Sequence, residues 1–332
     1  MGIVREPMCY LSVKLGVWMH IVTGSDENYV TGVLVLIASA HRHNPDARFT
    51  VLTTDWSQAS LAKLQALQAR LGILLQRLEL SKEHLAQLPI GREHLTGAAY
   101  ARLLIPDLLP QEDRVIYMDC DMLVTGSLQR AWSVDLTDKV LAAVRCPAPT
   151  PAHAAAINLP ITQYFNSGFL VMNLALFRAE SLSKSCFDAL MAPDCNYLSE
   201  DESALNVVAR GRVEYLDAGF NLYALDMVWQ SPLSDPPSIK VIHFFTRPKP
   251  WNGPCPFGAL WQAECRKMPE LTDFRRRPET IRAKLTRWNR IRKAVMGSWG
   301  GKEKYKGFGE THALVHKRLV PIYLATGAFP SA

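Results

Sequence analysis

The sequence lacks the short motifs that identify several common classes of protein. No G-x-G-x-x-G or Walker A pattern occurs among its 19 glycines, so a dinucleotide-binding protein and a P-loop nucleotidase lose their main support. Its seven cysteines are odd in number and scattered, without the C-x-x-C pairs of structural zinc sites or redox dithiols. We therefore expect a protein of a reducing compartment, and we place it in the cytoplasm.

Long apolar runs and biased segments are also missing. The apolar stretch from Tyr10 to Gly24 is interrupted by Lys14 and His20, is too short to span a bilayer, and has no evident small-residue cleavage site, so we expect no signal peptide. Hydrophobic residues make up 48% and charged residues 20% of the chain, which is ordinary globular usage and argues against disorder and coiled coil. A length of 332 residues predicts one large α/β unit with an appendage.

Positive charge is concentrated at the C-terminal end. Residues 266–332 carry 16 Lys and Arg against 5 Asp and Glu, whereas residues 1–265 carry 21 against 26. This asymmetry predicts a folded domain over residues 1–265, with its core starting near residue 19, and a basic helical tail over residues 266–332. Nucleic-acid binding would spread the charge over a folded face, so we expect no nucleic-acid partner. Trp288 and Trp299 in the tail fit an anionic membrane surface, although a solvated helix packed on the body fits equally well.

Strand-like and helix-like patterns alternate through the first half of the chain. Strands are predicted at Val17–Thr23, Arg48–Thr53 and Ile73–Glu79, and helices over Asn28–His41 and Leu61–Leu71. This alternation is typical of βαβ units around a parallel sheet. Later strands are predicted at Asp113–Met118, Val140–Val144, Phe165–Asn173 and Ile239–Phe245.

Two aspartates follow the strand that ends at Met118. Asp119 and Asp121 are separated by one residue, so in an extended backbone their side chains leave the same face and can converge on one cation. Hard carboxylates at the carboxyl end of a strand suit Mg²⁺ or Mn²⁺ that keeps open positions for phosphate oxygens. The alternative is a surface turn with two solvated aspartates. The apolar flanks on both sides favour the metal site.

Three basic or titratable side chains lie near predicted strand or helix ends. His243 ends an apolar run and either completes the metal shell as a neutral imidazole or is an ordinary buried histidine. Lys249, between two prolines, suits a diphosphate, and Arg102 on a predicted helix suits a phosphate or a sugar hydroxyl. Spacing alone does not decide between these interpretations.

Five collinear segments together resemble a known family. YMDCDMLV, AYARL, YFNSGFLVMNL, DESALN and HFFTRPKPW occur in the order and approximate spacing of family 8 glycosyltransferases, retaining GT-A enzymes that include bacterial lipooligosaccharide galactosyltransferases and glycogenin. The resemblance covers about residues 19–261. It implies an α/β fold of the GT-A type, Rossmann-like, with a mostly parallel mixed central sheet.

The resemblance also implies roles for individual residues. Asp119, Asp121 and His243 would bind Mn²⁺ or Mg²⁺, with Asp119 also near the ribose, and Lys249 would hold the diphosphate of a UDP-sugar. Arg102, Asn166 and Asp201 would surround the donor sugar. The segment VTGSDENY resembles the first strand and turn of the family, so that Asp26, Asn28 and Tyr29 would contact the base or ribose.

Two positions depart from the family pattern. Glu202 follows Asp201 where members commonly have Gln, and Thr246 replaces the usual Gly of H-x-x-G-x-x-K-P-W. Ser199-x-x-Glu202 fits a helix capping box, in which Glu202 bonds back to the backbone of Ser199. In this interpretation Glu202 caps the helix or orients its neighbours and does no chemistry. The competing hypothesis makes Glu202 a carboxylate nucleophile close to the anomeric carbon.

The expected function is transfer of a hexose, galactose or glucose, from a UDP-sugar to a saccharide or glycolipid acceptor with retention of configuration. Such a reaction fits lipopolysaccharide or other surface-glycan synthesis, on the cytoplasmic side and peripheral to the membrane. Two alternatives remain open. One is a haloacid-dehalogenase-type phosphatase, in which Asp119 would be the nucleophile, although Leu123 replaces its usual Thr or Val. The other is a non-catalytic nucleotide-sugar or glycan-binding protein.

Overall fold

The structure, a computed structural model, describes residues 18–81, 97–146, 151–192, 195–224, 239–275, 279–301 and 312–329. The residues before the predicted start of the core near residue 19 therefore lie almost wholly outside the described residues. The six cysteines within these ranges are free thiols.

A seven-stranded central sheet forms the body of the protein. Its strands are β1 (His20–Asp26), β2 (Arg48–Thr54), β3 (Leu75–Glu79), β4 (Arg114–Met118), β6 (Leu141–Arg145), β7 (Phe165–Asn173) and β8 (Val213–Leu216), in the order β3-β2-β1-β4-β7-β6-β8. Only β7 runs antiparallel to its neighbours in this sheet, pairing with β4 and β6. The predicted mostly parallel mixed sheet is confirmed.

A small second sheet lies beside the first. It contains β5 (Met122–Val124), β9 (Leu222–Tyr223) and β10 (Val241–His243), with β10 in the middle. β10 is antiparallel to β5 and parallel to β9. Because β5 begins four residues after β4 ends, the chain crosses from one sheet to the other through Asp119, Cys120 and Asp121.

Helices cover both faces of the central sheet. They are α1 (Val30–His43), α2 (Gln58–Leu71), α3 (Gly97–Leu108), α4 (Gln129–Trp132), α5 (Pro151–Ala156), α6 (Leu174–Ala179), α7 (Leu182–Met191), α8 (Glu200–Val208), α9 (Gly258–Arg266), α10 (Ile281–Trp299) and α11 (Val320–Thr326), the last preceded by a π-helical turn at Leu314–Leu319. α6 and α7 are separate helices, because Ser181 adopts a left-handed conformation between them.

Strand alternation divides the core into two layers. Along β4, Ile116 and Met118 pack into the layer that contains α1, whereas Val115 and Tyr117 pack into the layer that contains α3. This follows from the two-residue period of side chains along a strand. Tyr117 therefore lies on the same side of the sheet as Arg102 of α3, with the guanidinium carbon 4.8 Å from the centre of its ring.

The C-terminal segment divides into a packed part and an exposed part. Met268, Leu271 and Leu319 belong to the same apolar cluster as α1 and the central sheet. Ion pairs Arg70–Glu270 and Lys63–Asp273 join this segment to α2. By contrast, most side chains of α10 are exposed. No helix in the described part of the chain is both long enough and apolar enough to cross a bilayer.

Candidate active site

The acidic pair lies at the carboxyl end of β4, next to the small sheet. The backbone N–H of Asp119 donates to the carbonyl of Gly168 on β7, at 2.8 Å. This bond continues the β4–β7 ladder one residue past Met118, so the position of Asp119 is fixed by the sheet. Asp121 then immediately precedes β5, whose pairing with β10 sets the position of the second carboxylate.

His243 completes a cluster of three metal-type ligands. It is paired with Met122 across β10 and β5, and its Nε2 lies 3.1 Å from Oδ1 of Asp121 and 3.7 Å from Oδ2 of Asp119. The three ligand atoms lie within 4.8 Å of one another, and no other group of three such residues occurs within the described ranges. Two carboxylates and one imidazole suit Mn²⁺ or Mg²⁺, so these residues fit the cation that the sequence predicts.

Gly168 leaves the space in which the three ligands meet. A Cβ added at this position would lie 2.6 Å from Cε1 of His243, 2.7 Å from Oδ2 of Asp119 and 2.9 Å from Oδ1 of Asn166. Real side-chain contacts are not this short, so any larger residue forces the ligands apart. The glycine in YFNSGFLVMNL is therefore required by the close approach of β7 to the acidic pair.

Arg102 joins the acidic pair to α8. Its Nη2 donates to Oδ1 of Asp119 at 3.0 Å, and its Nε lies 3.1 Å from Oδ2 of Asp201. Its Nη1 donates to the carbonyl and hydroxyl oxygens of Ser167. Burial alone would lower the pKa of this guanidinium, but Asp119 and the other surrounding anionic groups outweigh burial and raise it. Arg102 therefore stays charged and holds one oxygen of Asp119 in place, as does the Tyr117 hydroxyl at 2.8 Å.

The predicted capping box at the start of α8 is wrong. The Ser199 side chain makes no capping hydrogen bond. The Glu202 carboxylate points instead to β7, where its Oε2 accepts from Nδ2 of Asn166 at 2.7 Å and from the backbone N–H of Ser167 at 3.1 Å. These two donors at the amino-terminal end of β7 attract the carboxylate more effectively than its own helix terminus does.

Burial raises the pKa values of Asp201 and Glu202, which are neighbours on α8. The pKa of Glu202 rises to about 7, because burial outweighs the hydrogen bond from Ser167. The pKa of Asp201 is also raised by burial, against the opposing effect of Arg102. Asp121 behaves differently, because His243 and Lys249 outweigh its burial and lower its pKa. The site thus contains one carboxyl group near its titration point at neutral pH and one that stays ionised.

Lys249 lies at the metal cluster with its ammonium fully bonded. Nζ donates to Oδ2 of Asp121 at 2.5 Å and to the carbonyls of Phe244 and Phe245 at 2.9 Å each. An ammonium has three donors, so a diphosphate oxygen would have to replace one of these acceptors. The lysine is thus next to the acidic pair, as the predicted diphosphate contact requires.

The three predicted nucleoside-binding residues lie at the end of β1, on the same edge of the sheet. Asp26 ends the strand and accepts from the backbone N–H of Asn28 at 2.9 Å. Tyr29 packs edge-on against Trp251, with ring centres 5.6 Å apart. Burial raises the pKa of Tyr29, and Lys249 and Asp121 are near enough to influence it. The turn and the metal cluster therefore adjoin.

Sequence patterns did not single out Asn221, whose side chain contacts two predicted site residues. Its Oδ1 lies 2.9 Å from Nδ1 of His243, and its Nδ2 donates to Oδ1 of Asn166 at 2.8 Å. Asn221 stands alone before the two-residue strand β9, so no motif or spacing distinguished it from other asparagines.

Comparisons with known proteins agree with this geometry. The sequence model of glycosyl transferase family 8 matches residues 20–255. The lipopolysaccharide 1,3-galactosyltransferase of Salmonella typhimurium is 26% identical over 246 residues, which cover 70% of this chain and 73% of that protein. Glycosyltransferase GlyD of Streptococcus pneumoniae is 29% identical over 245 residues, 70% of this chain but only 28% of that protein.

Solved structures of LgtC resemble this fold. A crystal structure of an active-site mutant of LgtC, in which glutamate replaces glutamine, has a TM-score of 0.67 at 26% identity and covers 80% of this chain and 100% of LgtC. The galactosyltransferase LgtC in complex with donor and acceptor sugar analogues has a TM-score of 0.62 at 25% identity, covering 76% of this chain and 96% of that chain. The predicted fold of the GT-A type is confirmed.

Proposed function

Because the chain belongs to glycosyl transferase family 8, we propose that it moves a hexose, galactose or glucose, from a UDP-sugar to a saccharide or glycolipid acceptor. The proposal places this reaction in lipopolysaccharide or other surface-glycan synthesis, as the name of the Salmonella relative states for that protein. The observation that carries the proposal is the convergence of Asp119, Asp121 and His243 within 4.8 Å, beside Arg102 and Lys249.

Negative charge on a departing diphosphate is the main electrostatic demand of such a transfer. Asp119, Asp121 and His243 would hold a divalent cation, which would supply Lewis-acid stabilisation of that charge. Lys249 adds a positive charge next to Asp121 and exchanges one of its carbonyl acceptors for a phosphate oxygen. The side chains that would hold the cation are fixed by the two sheets, and Lys249 is buried beside them, so charge placed there would be preorganised for the leaving group.

Arg102, Asp201 and Asn166 line one side of the cluster, and we assign them to the donor sugar. Asp201 and Arg102 form a buried pair that offers a carboxylate and a guanidinium to sugar hydroxyls. Asp26, Asn28 and Tyr29 at the neighbouring turn are assigned to the uridine. These assignments follow the family resemblance, and the shared edge of the sheet supports them.

We assign Glu202 to orienting Asn166 rather than to nucleophilic attack. Its Oε2 already accepts two hydrogen bonds, and its pKa of about 7 leaves it partly protonated at neutral pH. Retention then proceeds by attack on the same face of the sugar, with the leaving phosphate oxygen accepting the proton of the acceptor hydroxyl. The bond from the anomeric carbon to that oxygen breaks as the bond to the acceptor oxygen forms.

The phosphatase alternative fits the geometry poorly. An attacking aspartate needs a free oxygen aimed at substrate, but Oδ1 of Asp119 is held by Arg102 and Tyr117, and Oδ2 faces His243. Family membership also argues against it. A non-catalytic nucleotide-sugar or glycan-binding protein could have the same site residues as the enzyme. Only a measurement of turnover distinguishes the two.

We further propose that α10 attaches the enzyme to an anionic membrane surface on the cytoplasmic side. Its exposed apolar side chains repeat with helical spacing along one face and are Ile281, Leu285, Trp288, Met296 and Trp299. The same helix carries six Lys and Arg and no acidic residue. Each basic residue near an anionic surface contributes about 1 kcal/mol, so peripheral attachment needs no spanning helix. We therefore keep, as a proposal, the boundary near residue 265 between the catalytic domain and a basic C-terminal segment that contacts the membrane.

A panel of UDP-sugars tests the proposed reaction. The full chain is incubated with Mn²⁺ and each donor, with and without saccharide acceptors, and release of UDP is measured. We expect one UDP-hexose to be turned over, faster with acceptor, with loss of turnover on chelation and in Asp121→Asn. Asp138→Asn, at an exposed aspartate, is the matched control. NMR of the product gives the anomeric configuration.

Three results would contradict the proposal. If UDP-sugars bind but no UDP is released with any acceptor, the result supports the non-catalytic binding-protein hypothesis. Phosphate release from simple monoesters, with no UDP release, supports the phosphatase. Equal turnover by the wild type and Asp121→Asn places the reaction at another site.

A further inference from the structure

We propose that Asn221 is a positioning residue that fixes the tautomer of His243, so that the lone pair on Nε2 faces Asp119 and Asp121. This inference deepens the proposed function, since it rests on the same metal cluster. It concerns a chain of four buried side chains, Glu202, Asn166, Asn221 and His243, here called the amide relay.

The backbone of Gly168 sets the direction of the amide relay. A backbone N–H can only donate, and that of Gly168 points at Oδ1 of Asn166 at 3.1 Å. The atom it meets must therefore be the amide oxygen. The amide nitrogen of Asn166 then faces Oε2 of Glu202 at 2.7 Å, where an acceptor is present. Two independent partners thus fix the orientation of the Asn166 amide.

The same logic passes from Asn166 to His243. Oδ1 of Asn166 lies 2.8 Å from the Asn221 side chain, which must present its NH₂ group there. Oδ1 of Asn221 is then the atom that faces Nδ1 of His243, at 2.9 Å. An amide oxygen only accepts, so Nδ1 must carry a hydrogen. In the neutral ring, the form that binds a cation, this leaves the lone pair on Nε2, the atom 3.1 Å from Asp121. A cation between Nε2 and the two carboxylates would accept that lone pair, whereas without a cation a proton on Nε2 would be donated to Asp121.

Burial makes this arrangement strict. Asn166, Asn221 and His243 are at most 6% exposed, so water is not available to replace a lost partner. Reversing either amide would bring two donors or two acceptors face to face and leave buried polar groups without partners. Buried amides in this position therefore have one preferred orientation.

Local backbone structure holds Asn221 at the imidazole. A single 3₁₀ turn, Ala218–Phe220, ends just before it, and β9 begins just after it. The next residue but one, Tyr223, is the partner of His243 in the β9–β10 ladder. The short strand therefore sets the register that brings the Asn221 side chain to Nδ1. When the second nitrogen of a metal-ligating histidine donates a hydrogen bond, that bond orients the ring and raises the affinity of the site for the metal.

Titration with Mn²⁺ alone, followed by the EPR signal of the free ion, tests the inference. Asn221→Leu keeps the size of the side chain and removes the acceptor for Nδ1, so we expect Mn²⁺ affinity to fall about 10- to 100-fold. Asn221→Asp keeps an acceptor for Nδ1 but places its second oxygen against Oδ1 of Asn166, so we expect a smaller loss of affinity than in Asn221→Leu. Asn44→Leu, at a buried asparagine whose side chain bonds Leu128 and Ala40, controls for general loss of stability.

A second readout reports the tautomer directly. In ¹⁵N NMR spectra of the Mg²⁺-loaded protein, we expect His243 to show a protonated Nδ1 and an unprotonated Nε2. Thermal unfolding of each variant shows whether it is folded.

The outcomes separate this inference from the proposed function. Wild-type affinity in folded Asn221→Leu, or a proton on Nε2 in the loaded protein, overturns the role of Asn221 alone. An equal fall in Asn221→Leu and Asn44→Leu also overturns it, because the effect is then general destabilisation. If the wild type and Asp121→Asn bind Mn²⁺ alike, the metal cluster itself is wrong, and both proposals fail.

Discussion

His243 Nε2 lies 3.1 Å from Oδ1 of Asp121, and the two residues reach this distance because β10 and β5 pair directly beside the end of β4. The pairing of β10 with β5 in the second sheet thus brings His243, from late in the chain, to the edge of the central sheet. A small change in this register would separate the imidazole from the carboxylates.

Gly168→Ala should disturb the metal cluster. Its Cβ would lie within 2.7 Å of both His243 and Asp119, so the ligands must separate. We expect Mn²⁺ affinity to fall at least about tenfold and the free energy of unfolding to fall by about 1–3 kcal/mol, as for other overpacked sites. Gly300→Ala, at the end of α10, should bind Mn²⁺ normally. Unchanged affinity in Gly168→Ala would show that the ligands can shift without cost.

Glu202→Gln should change how stability depends on pH. The pKa of Glu202 is about 7 in the folded protein and near 4.5 in the unfolded chain, so the folded state binds the proton more tightly. Its contribution is fully present below about pH 4.5 and is lost as pH rises through 7, a loss on the order of 3 kcal/mol. Glutamine keeps one acceptor for Asn166 and Ser167 and carries no proton to lose.

Urea unfolding at pH 4.5, 6 and 8 measures this effect. We expect the stability of Glu202→Gln relative to wild type to increase across this range and most of the transfer activity to be kept. Glu214→Gln, on the edge strand β8, controls for removal of one carboxylate elsewhere. Parallel pH profiles for wild type and Glu202→Gln would contradict the burial of an ionisable carboxyl at this position. Complete loss of transfer would restore the nucleophile hypothesis.

Arg102→Lys should impair the enzyme although it keeps the charge. One ammonium cannot bond Ser167, Asp119 and Asp201 with the geometry of a guanidinium. We expect the free energy of unfolding to fall by about 1–3 kcal/mol and the transfer rate to fall at least about tenfold. The matched change Arg212→Lys, at an exposed pair with Glu180, should alter stability by less than about 0.5 kcal/mol. Equal effects of the two substitutions would argue against the buried network.

Leu285→Glu should weaken attachment to anionic vesicles. It places a charge in the exposed apolar face of α10, where burial of one leucine is worth about 1.5–3 kcal/mol. We expect partition into phosphatidylglycerol-containing vesicles to fall at least about tenfold, with turnover of soluble substrates unchanged. Leu74→Glu is a close control, since Leu74 is 55% exposed and Leu285 is 56% exposed. A point substitution is preferable to deletion of the C-terminal segment, because Met268, Leu271 and Leu319 belong to the core.

Equal partition of the Leu285 and Leu74 variants would remove α10 as the attachment surface. Partition of the wild type into purely zwitterionic vesicles as strongly as into anionic ones would contradict the electrostatic part of the proposal.

Several features followed from the sequence because they depend on neighbouring residues. Three of these features are local patterns: the strand before Asp119, the D-x-D spacing, and the alternation of strands and helices. The period with which apolar residues recur along the chain is enough to identify them. The order of the five family motifs likewise indicated the fold and the cluster formed by Asp119, Asp121 and His243. The roles of these residues remain predictions until tested.

Other features depend on residues that are distant in the chain. Whether Glu202 capped its own helix or turned to β7 was decided by the two donors that β7 brings within reach, and a capping pattern contains no information about them. Asn221 acquires its place from the register of a two-residue strand, and Gly168 from the approach of two sheets. The chain sequence alone therefore determined the elements and the ligand types, whereas strand register and packing decided which side chains meet and how each hydrogen bond is directed.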